Sequence, residues 1–392
     1  MPVAVPGGEE EAGMAEIATG ARIEDDEQTL GFGVVGLGMG KHHCRSVTAA
    51  KGARLVAICD VRQELADKVA AEYGCKAYYS FDEMLLDPEI DVVNIALPTG
   101  MHADAGIKAA QAGKHIICEK PLDVNLNKAD ALIAAAHEHH VKLGGIFQRR
   151  LHPVSQKVRE VIRGGRLGRV YYADIHLYWW RAQSYYDGGW PAGWHGTWAL
   201  DGGGSVMNQG VHSVDFIQWA VGPVKRLVAR TGTFAHNIEC EDVGMALLEF
   251  ESGAIGNIVC TTAAYPGYSN DFHVFGENGS IIIRNDSEVV SWRIKGPDEQ
   301  AEDDEMRRTY PGGRGNASSD PMAVGFDGHT QEIEDMVQAI HADRAPVIPG
   351  EQARHAIEII LAIQKSAETG QWVTLPDPDL SSPTPIWRQR KG

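Results

Sequence analysis

The sequence predicts an α/β protein of two domains, the first built on a doubly wound parallel sheet. Three observations carry this reading. An apolar, β-branched run at 30–35 opens into a glycine turn and then a helical pattern. From there to residue 140 apolar runs alternate with helical patterns, as parallel strands joined by crossover helices do. Beyond residue 170 the pattern changes to short runs of strand formers separated by turn residues. The 392 residues are too many for one average domain and enough for two sizeable cores.

Leu30–Val35 reads as a buried strand that leads into Gly36-Leu37-Gly38-Met39-Gly40-Lys41. Gly36 suits a tight turn, and Gly38 lets backbone approach a pyrophosphate at the N-terminus of the following helix. A literal G-x-G-x-x-G match falls instead on Gly31, Gly33 and Gly36, but its first two glycines lie inside the strand. The third glycine of the usual pattern would fall at Lys41, and Gly40 sits one place early. Arg54–Cys59 reads as the next strand and ends at Asp60, 22 residues after Gly38. A carboxylate there accepts hydrogen bonds from an adenosine ribose and repels a 2′-phosphate. NAD is therefore predicted in preference to NADP, with Arg62 as the residue that favours the latter. A helix follows over 61–73, a strand over 91–96, a helix over 101–112, a strand over 115–118 and a helix over 128–140. Ligands of such sheets lie beyond the strand C-termini. Gly36–Gly40, Leu97-Pro98-Thr99 and Glu119-Lys120-Pro121 all fall there.

No run of about 18 apolar residues exists, so no transmembrane helix is expected. The N-terminus has no basic patch followed by an apolar stretch, so no secretory signal is expected. The cysteines are scattered without a CxxC pair, which predicts reduced thiols in a cytoplasm. A formal net charge of −17 argues against nucleic acid or anionic membranes as partners. Residues 1–28 are acidic and poor in large apolar residues, and read as a flexible arm. The division expected is a dinucleotide domain over 29–152 and a substrate and oligomerisation domain over 153–392. Within the latter, 296–325 reads as a surface loop or hairpin insertion.

One series of motifs is specific enough to carry a family resemblance. It runs through Pro98-Thr99, His102, Ala112-Gly113-Lys114-His115, Glu119-Lys120-Pro121-Leu122 and Gln148-Arg149-Arg150. It continues through Gly202-Gly203-Gly204 and Asn208-Gln209-Gly210-Val211-His212 to Pro346–Gly350. In these motifs the chain resembles the Gfo/Idh/MocA oxidoreductases. The resemblance implies an N-terminal Rossmann domain holding NAD through Gly36, Leu37, Gly38, Met39, Gly40, Asp60, Pro98, Thr99, His102, Glu119, Lys120 and Gln148. It also implies a C-terminal α/β domain with a large open, mostly antiparallel sheet, whose exposed face supports a homo-dimer or tetramer. The strand-forming runs at 170–181, 225–234, 242–251, 254–262, 271–275, 280–284 and 289–295 agree independently.

A dehydrogenase must take a hydroxyl proton as hydride leaves, which calls for a base beside the nicotinamide. His212 and Lys120 are the candidates. Proline after Lys120 prevents the strand from simply continuing, and in the resembled family this Lys–Pro bond is often cis. Ser205–Val221 reads as one helix capped by Ser205, so that Asn208, His212 and Asp215 share a face. Asn208 is expected to hydrogen-bond a hydroxyl and Asp215 to orient His212. Many relatives carry aspartate where Asn208 stands. An amide is no base at neutral pH, so the proton chemistry falls to His212 and Lys120. The three glycines are expected either to let backbone approach the ligand or to form a flexible loop.

Between Tyr178 and Trp198 lies an aromatic-rich segment. Sugar rings pack on aromatic planes, while aromatics also fill cores and subunit contacts. Arg181, Tyr186, Trp194, His195 and Trp198 are the expected substrate contacts, together with Asn208 and His212. Of Trp179 and Trp180, strand alternation allows at most one to face the site. The block from Tyr185 to Gly204 looks like relatives that oxidise C3 of glycosides or nucleotide-linked sugars. No dense basic cluster accompanies it, which favours a free sugar, polyol or glycoside. No catalytic metal is expected, because groups such as His137, His139 and His140 show no carboxylate partners in sequence. The leading reading is NAD-dependent oxidation of a carbohydrate hydroxyl. A glycosidase that uses NAD transiently and a non-enzymatic dinucleotide sensor are the alternatives.

Overall fold

The computed structural model describes residues 29–313, 318 and 327–381. The acidic arm and the second part of the 296–325 segment lie outside these residues. The first sheet is formed by β1 (Leu30–Val35), β2 (Ala53–Cys59), β3 (Lys76–Tyr78), β4 (Val92–Ile95), β5 (His115–Cys118) and β6 (Leu143–Gly145). Its order is β3-β2-β1-β4-β5-β6 and every pairing is parallel. The helices between them are α1 (Gly40–Ala49), α2 (Gln63–Tyr73), α3 (Phe81–Leu85), α4 (His102–Gln111) and α5 (Leu126–Glu138). Strand order reverses between β1 and β4, which opens a crevice at their C-terminal ends.

After α6 (Pro153–Arg163) comes β7 (Val170–Tyr178), then the short α7 (Gln183–Asp187) and α8 (Val211–Val221). The second sheet adds β8 (Val224–Gly232), β9 (Val243–Phe250), β10 (Ile255–Thr261), β11 (Asn270–Gly276), β12 (Gly279–Arg284) and β13 (Glu288–Ile294). The helices α9 (Glu299–Thr309), α10 (Asp327–His341) and α11 (Gly350–Thr369) follow, and β14 (Val373–Thr374) completes the sheet. Its order is β13-β12-β11-β7-β10-β9-β8-β14, antiparallel except where β7 meets β10. Alternation sends Ala173, Ile175, Leu177, Leu248, Ile258 and Phe272 into the core and leaves Met245, Leu247 and Ile255 exposed on the other face.

The first sheet is not closed by the segment that builds it. Phe32, Val92, Ile117 and Ile146 are covered by Ile333, Met336 and Val337 of α10. Among the described residues no helix is long and apolar enough to cross a membrane. All six cysteines are free.

Two expectations about elements need correction. The start of the 296–325 segment is the helix α9, not a loop or hairpin. Its first turn is acidic at Glu299 and Glu302 and its last is basic at Arg307 and Arg308, as the helix dipole favours. Asp303 seats it by accepting from the Trp292 N–H at 2.6 Å. The helix expected over Ser205–Val221 is broken. A wide turn over Ser205–Gln209 is closed by Gly210 N–H donating to the Ser205 carbonyl at 2.9 Å, and only then does α8 begin. Ser205 is not its cap, since its hydroxyl has no hydrogen-bond partner. Glu241 takes that role, accepting from the Gly204 and Val206 N–H groups at 3.1 and 2.9 Å.

Candidate active site

A cavity of about 1200 Å³ lies beyond the C-terminal ends of β1, β4 and β5 and runs on beneath the aromatic segment after β7. Gly36, Leu37, Gly38 and Met39 line one end. Gly36 has φ +87°, and a Cβ there would stand 2.6 Å from the Ala96 carbonyl oxygen, so glycine is required. A Cβ on Gly38 would meet nothing within 4 Å. The α1 N-terminus carries no side-chain cap, and apart from His42 N–H, which donates to the Met39 carbonyl at 2.8 Å, its first N–H groups are open to an anion. Gly40 does not line the cavity. It is buried instead, where a Cβ would lie 3.0 Å from Val34, so its small size serves helix–strand packing. Asp60 accepts from Leu37 N–H at 2.9 Å and from Arg62 Nη2 at 2.7 Å, and Arg62 lies over Trp190. Burial disfavours its charge, but the Arg62 and backbone hydrogen bonds outweigh burial and hold it below the usual carboxylate range.

Pro98, Thr99, His102, Glu119, Lys120 and Gln148 line the middle of the cavity. Buried His102 sits 2.7 Å from both the Pro121 and Leu97 carbonyl oxygens. Burial pushes its pKa down, against two acceptors that favour the charged ring. Gln148 Oε1 is buried with no hydrogen-bond partner, an orphan acceptor at the cavity wall. Glu119 contacts His43 Nε2 at 2.9 Å and His329 Nε2 at 3.4 Å. Burial alone would raise its pKa, yet these two histidines hold it well below the usual range. The Lys120–Pro121 bond is cis.

Lys120, Asn208 and His212 come together at the inner end. Lys120 Nζ donates to the Asn208 carbonyl at 3.0 Å. The Asn208 amide donates to Asp201, and its Oδ1 accepts from Gln209 Nε2 at 2.8 Å. His212 lies edge-on to Phe147, and its Nδ1 has no hydrogen-bond partner. Burial first, then the charges of Lys120 and Arg149, lower its pKa well below the ordinary histidine value. Burial likewise lowers Lys120, opposed by Glu119 and Asp201. Asp215 does not orient His212. It is locked in a buried pair with Arg150 at 2.5 Å. Asp201 emerges from the structure alone, fully buried and pushed up to about 7 by burial. His43 and His329 lie 286 residues apart, a pairing no local pattern carries.

At the outer end Trp179, Arg181, Tyr185, Trp190, Trp194 and His195 line the cavity. Arg181 is buried, donating to Gln209 Oε1 at 3.0 Å and the Ser318 carbonyl at 3.1 Å, with its guanidinium over Trp179. His195 stacks on Tyr185 at 4.4 Å, and burial with the charges of Lys120 and Arg181 pushes its pKa down to about 3. Tyr186 and Trp198 are not among the lining residues. Tyr186 is turned into the core, its hydroxyl 2.7 Å from Thr262 Oγ1. Trp198 lies on a turn whose backbone N–H is tied to Glu239 at 2.9 Å. Gly202–Gly204 neither line the cavity nor float free. A Cβ on Gly204 would fall 2.0 Å from the Glu241 carbonyl oxygen, so these glycines allow close packing behind the site. His137 has a carboxylate partner that its sequence neighbours do not reveal, Glu351 at 2.6 Å.

A switch-point crevice with a glycine turn, joined to a lysine–histidine pair under a second sheet, defines a two-domain nucleotide-dependent oxidoreductase. The family model for the NAD-binding Rossmann fold of GFO/IDH/MocA oxidoreductases matches residues 30–147, and that for the GFO/IDH/MocA C-terminal domain matches 155–282. The chain belongs to this family and is an NAD-dependent oxidoreductase. It is similar to the myo-inositol 2-dehydrogenase of Thermotoga maritima, 27% identical over 352 residues that cover 88% of this chain and 98% of that protein. The levoglucosan dehydrogenase of Pseudarthrobacter phenanthrenivorans is 28% identical over 397 aligned positions, covering 89% and 99%. Among solved structures, the WlbA dehydrogenase from Bordetella pertussis in complex with NADH and UDP-GlcNAcA is 31% identical. It matches with a TM-score of 0.82 over 90% of this chain and 99% of that one.

Proposed function

We propose that the protein oxidises a secondary hydroxyl of a neutral sugar, polyol or glycoside, passing hydride to NAD. One observation carries the substrate class. Among the described residues five cationic side chains line the cavity, and each is already engaged. Arg62 pairs with Asp60, Lys108 with Asp82, Arg149 with Asp286, Arg181 with Gln209 and the Ser318 carbonyl, and Lys120 with the Asn208 carbonyl. A nucleotide-linked sugar brings a diphosphate that needs unpaired donors, whereas a neutral ring needs aromatic planes and hydrogen-bonding groups. Trp179, Tyr185, Trp194 and His195 supply these.

The bound nicotinamide supplies the hydride acceptor. The glycine turn and the uncapped α1 N-terminus would hold the pyrophosphate, Asp60 would take the adenosine ribose, and Gln148 would supply a hydrogen-bonding group in the middle of the cavity. His212, kept neutral, accepts the hydroxyl proton as the carbon–hydrogen bond breaks, leaving a ketone. Lys120 stabilises the developing negative charge on the oxygen, and the Asn208 amide, held by Asp201, orients the same or a neighbouring hydroxyl. Self-association through the exposed face of the second sheet, where Met245, Leu247 and Ile255 are uncovered, belongs to the same reading.

The test is NADH formation across a panel of inositols, anhydrosugars, free hexoses, glycosides and UDP-sugars, with products mapped by NMR. Stoichiometric NADH from neutral substrates is expected. Turnover confined to UDP-sugars overturns the substrate class, and glycoside cleavage without net NADH overturns the reaction.

A further inference from the structure

The outer face of the second sheet carries two copies of one short pattern. β7 reads Asp174-Ile175-His176 and β11 reads Asp271-Phe272-His273. Alternation puts the aspartate and histidine of each triplet on one face. The antiparallel register then sets His273 opposite Asp174 and Asp271 opposite His176. His273 Nδ1 and His176 Nε2 converge on a single oxygen, Asp174 Oδ1, at 3.0 and 3.2 Å. Asp174 is only 4% exposed, yet that oxygen receives no aligned hydrogen bond. Leaving a buried carboxylate oxygen unsatisfied is costly. The convergence of two imidazole nitrogens on one carboxylate oxygen, a histidine–aspartate pairing as it stands, also matches the spacing of ligands around a cation.

We propose that Asp174, His176 and His273 bind a zinc ion. The three donor atoms lie within 4.8 Å of one another. Ligands at zinc–nitrogen and zinc–oxygen bond lengths in a tetrahedral site stand about 3.3 Å apart, close to the spacing seen. Two imidazoles and one carboxylate suit zinc, and supply too few oxygens for calcium or magnesium. The fourth position is left to water or to Asp271, whose Oδ1 also lacks a hydrogen bond and lies 3.5 Å from Arg284. None of these residues lines the catalytic cavity, so the ion ties the central strands β7 and β11 and takes no part in hydride transfer. Among the described residues the other close histidine–carboxylate group is His43, Glu119 and His329. Its His43 has a polar partner on each ring nitrogen, Asn94 Nδ2 at 3.1 Å and Glu119 at 2.9 Å.

The experiment uses the full chain, stripped with a chelator and titrated with zinc chloride by calorimetry, beside His273→Gln and His176→Asn. Wild type is expected to take up one zinc per chain that both variants bind at least about tenfold more weakly, while NAD affinity stays the same. Cobalt in the stripped wild type should give the visible absorption of a tetrahedral site, absent from the variants. Zinc should raise the Tm of wild type alone. Placing the variants on separate strands keeps the test decidable if one fails to fold. Equal zinc uptake by wild type and both variants, no uptake by wild type, or loss of the site in His137→Gln instead, overturns the assignment.

Discussion

His212, the proposed base, sits in surroundings that free histidine in water does not share. Its protonated form is disfavoured by burial and by the charge of Lys120, so it remains a free base below the ordinary histidine pKa of about 6.5. The acid limb of kcat/KM is therefore expected below that pH. Lys120→Met removes a positive neighbour, which favours the imidazolium and moves the limb to higher pH. An unmoved limb would show that the titrating group is another one. His212→Ala and Lys120→Ala should each slow single-turnover hydride transfer by about 10²–10⁴-fold with NAD binding intact. The losses should not multiply, since in the proposed mechanism both groups act on one hydroxyl as a unit. At the other end of the cavity, Asp60, the carboxylate proposed for the ribose, also holds Arg62. Asp60→Ala should weaken NAD by about 10–100-fold and free Arg62 for a 2′-phosphate, narrowing the gap to NADP. Direct titration of both cofactors checks this, and unchanged affinities would remove Asp60 from the ribose site.

At the scale of elements, the site depends on a turn that propensity does not announce. Glu241 caps the turn over Ser205–Gln209 from the start of β9, and Gly204 lets the two segments touch. Gly204→Ala should cost about 1–3 kcal/mol or more, because the new methyl meets backbone that has nowhere to go; chemical unfolding reads this directly. Unchanged stability would mean the loop is free to shift. This turn also marks where the sequence stops being legible. Strands with continuous or alternating apolar runs, such as β1, β5 and β9, follow from local pattern. So do Gly36, Asp60 and Lys120, because strand ends in a doubly wound sheet converge by topology. The three-residue β3 and β6 have too little pattern to stand out, and they form because neighbours pair with them. Tyr186 was misplaced because both its neighbours in the aromatic segment and the core want a ring; only the Thr262 contact decides the direction. Asp215 is not legible as an ion-pair residue because its partner Arg150 lies 65 residues away, and that buried pair, not helix phase, turns it from His212.

For the whole molecule, among the described residues both sheets and every residue lining the cavity lie at residue 30 or beyond. A chain beginning at residue 29 is accordingly expected to bind NAD like the full chain, by equilibrium titration. Loss of binding would give the acidic segment a structural role. Helix α10 has no such freedom. Phe32, Val92 and Ile117 lie on strands of the first sheet and Ile146 just after β6, but Ile333, Met336 and Val337 cover them from α10. On a ribosome, then, the dinucleotide sheet emerges complete in hydrogen bonds and half-clothed in side chains. It must wait for nearly two hundred more residues before its last apolar surface leaves water. That interval is when a chaperone has something to hold, and a chain stalled before α10 offers a finished crevice on an unfinished core.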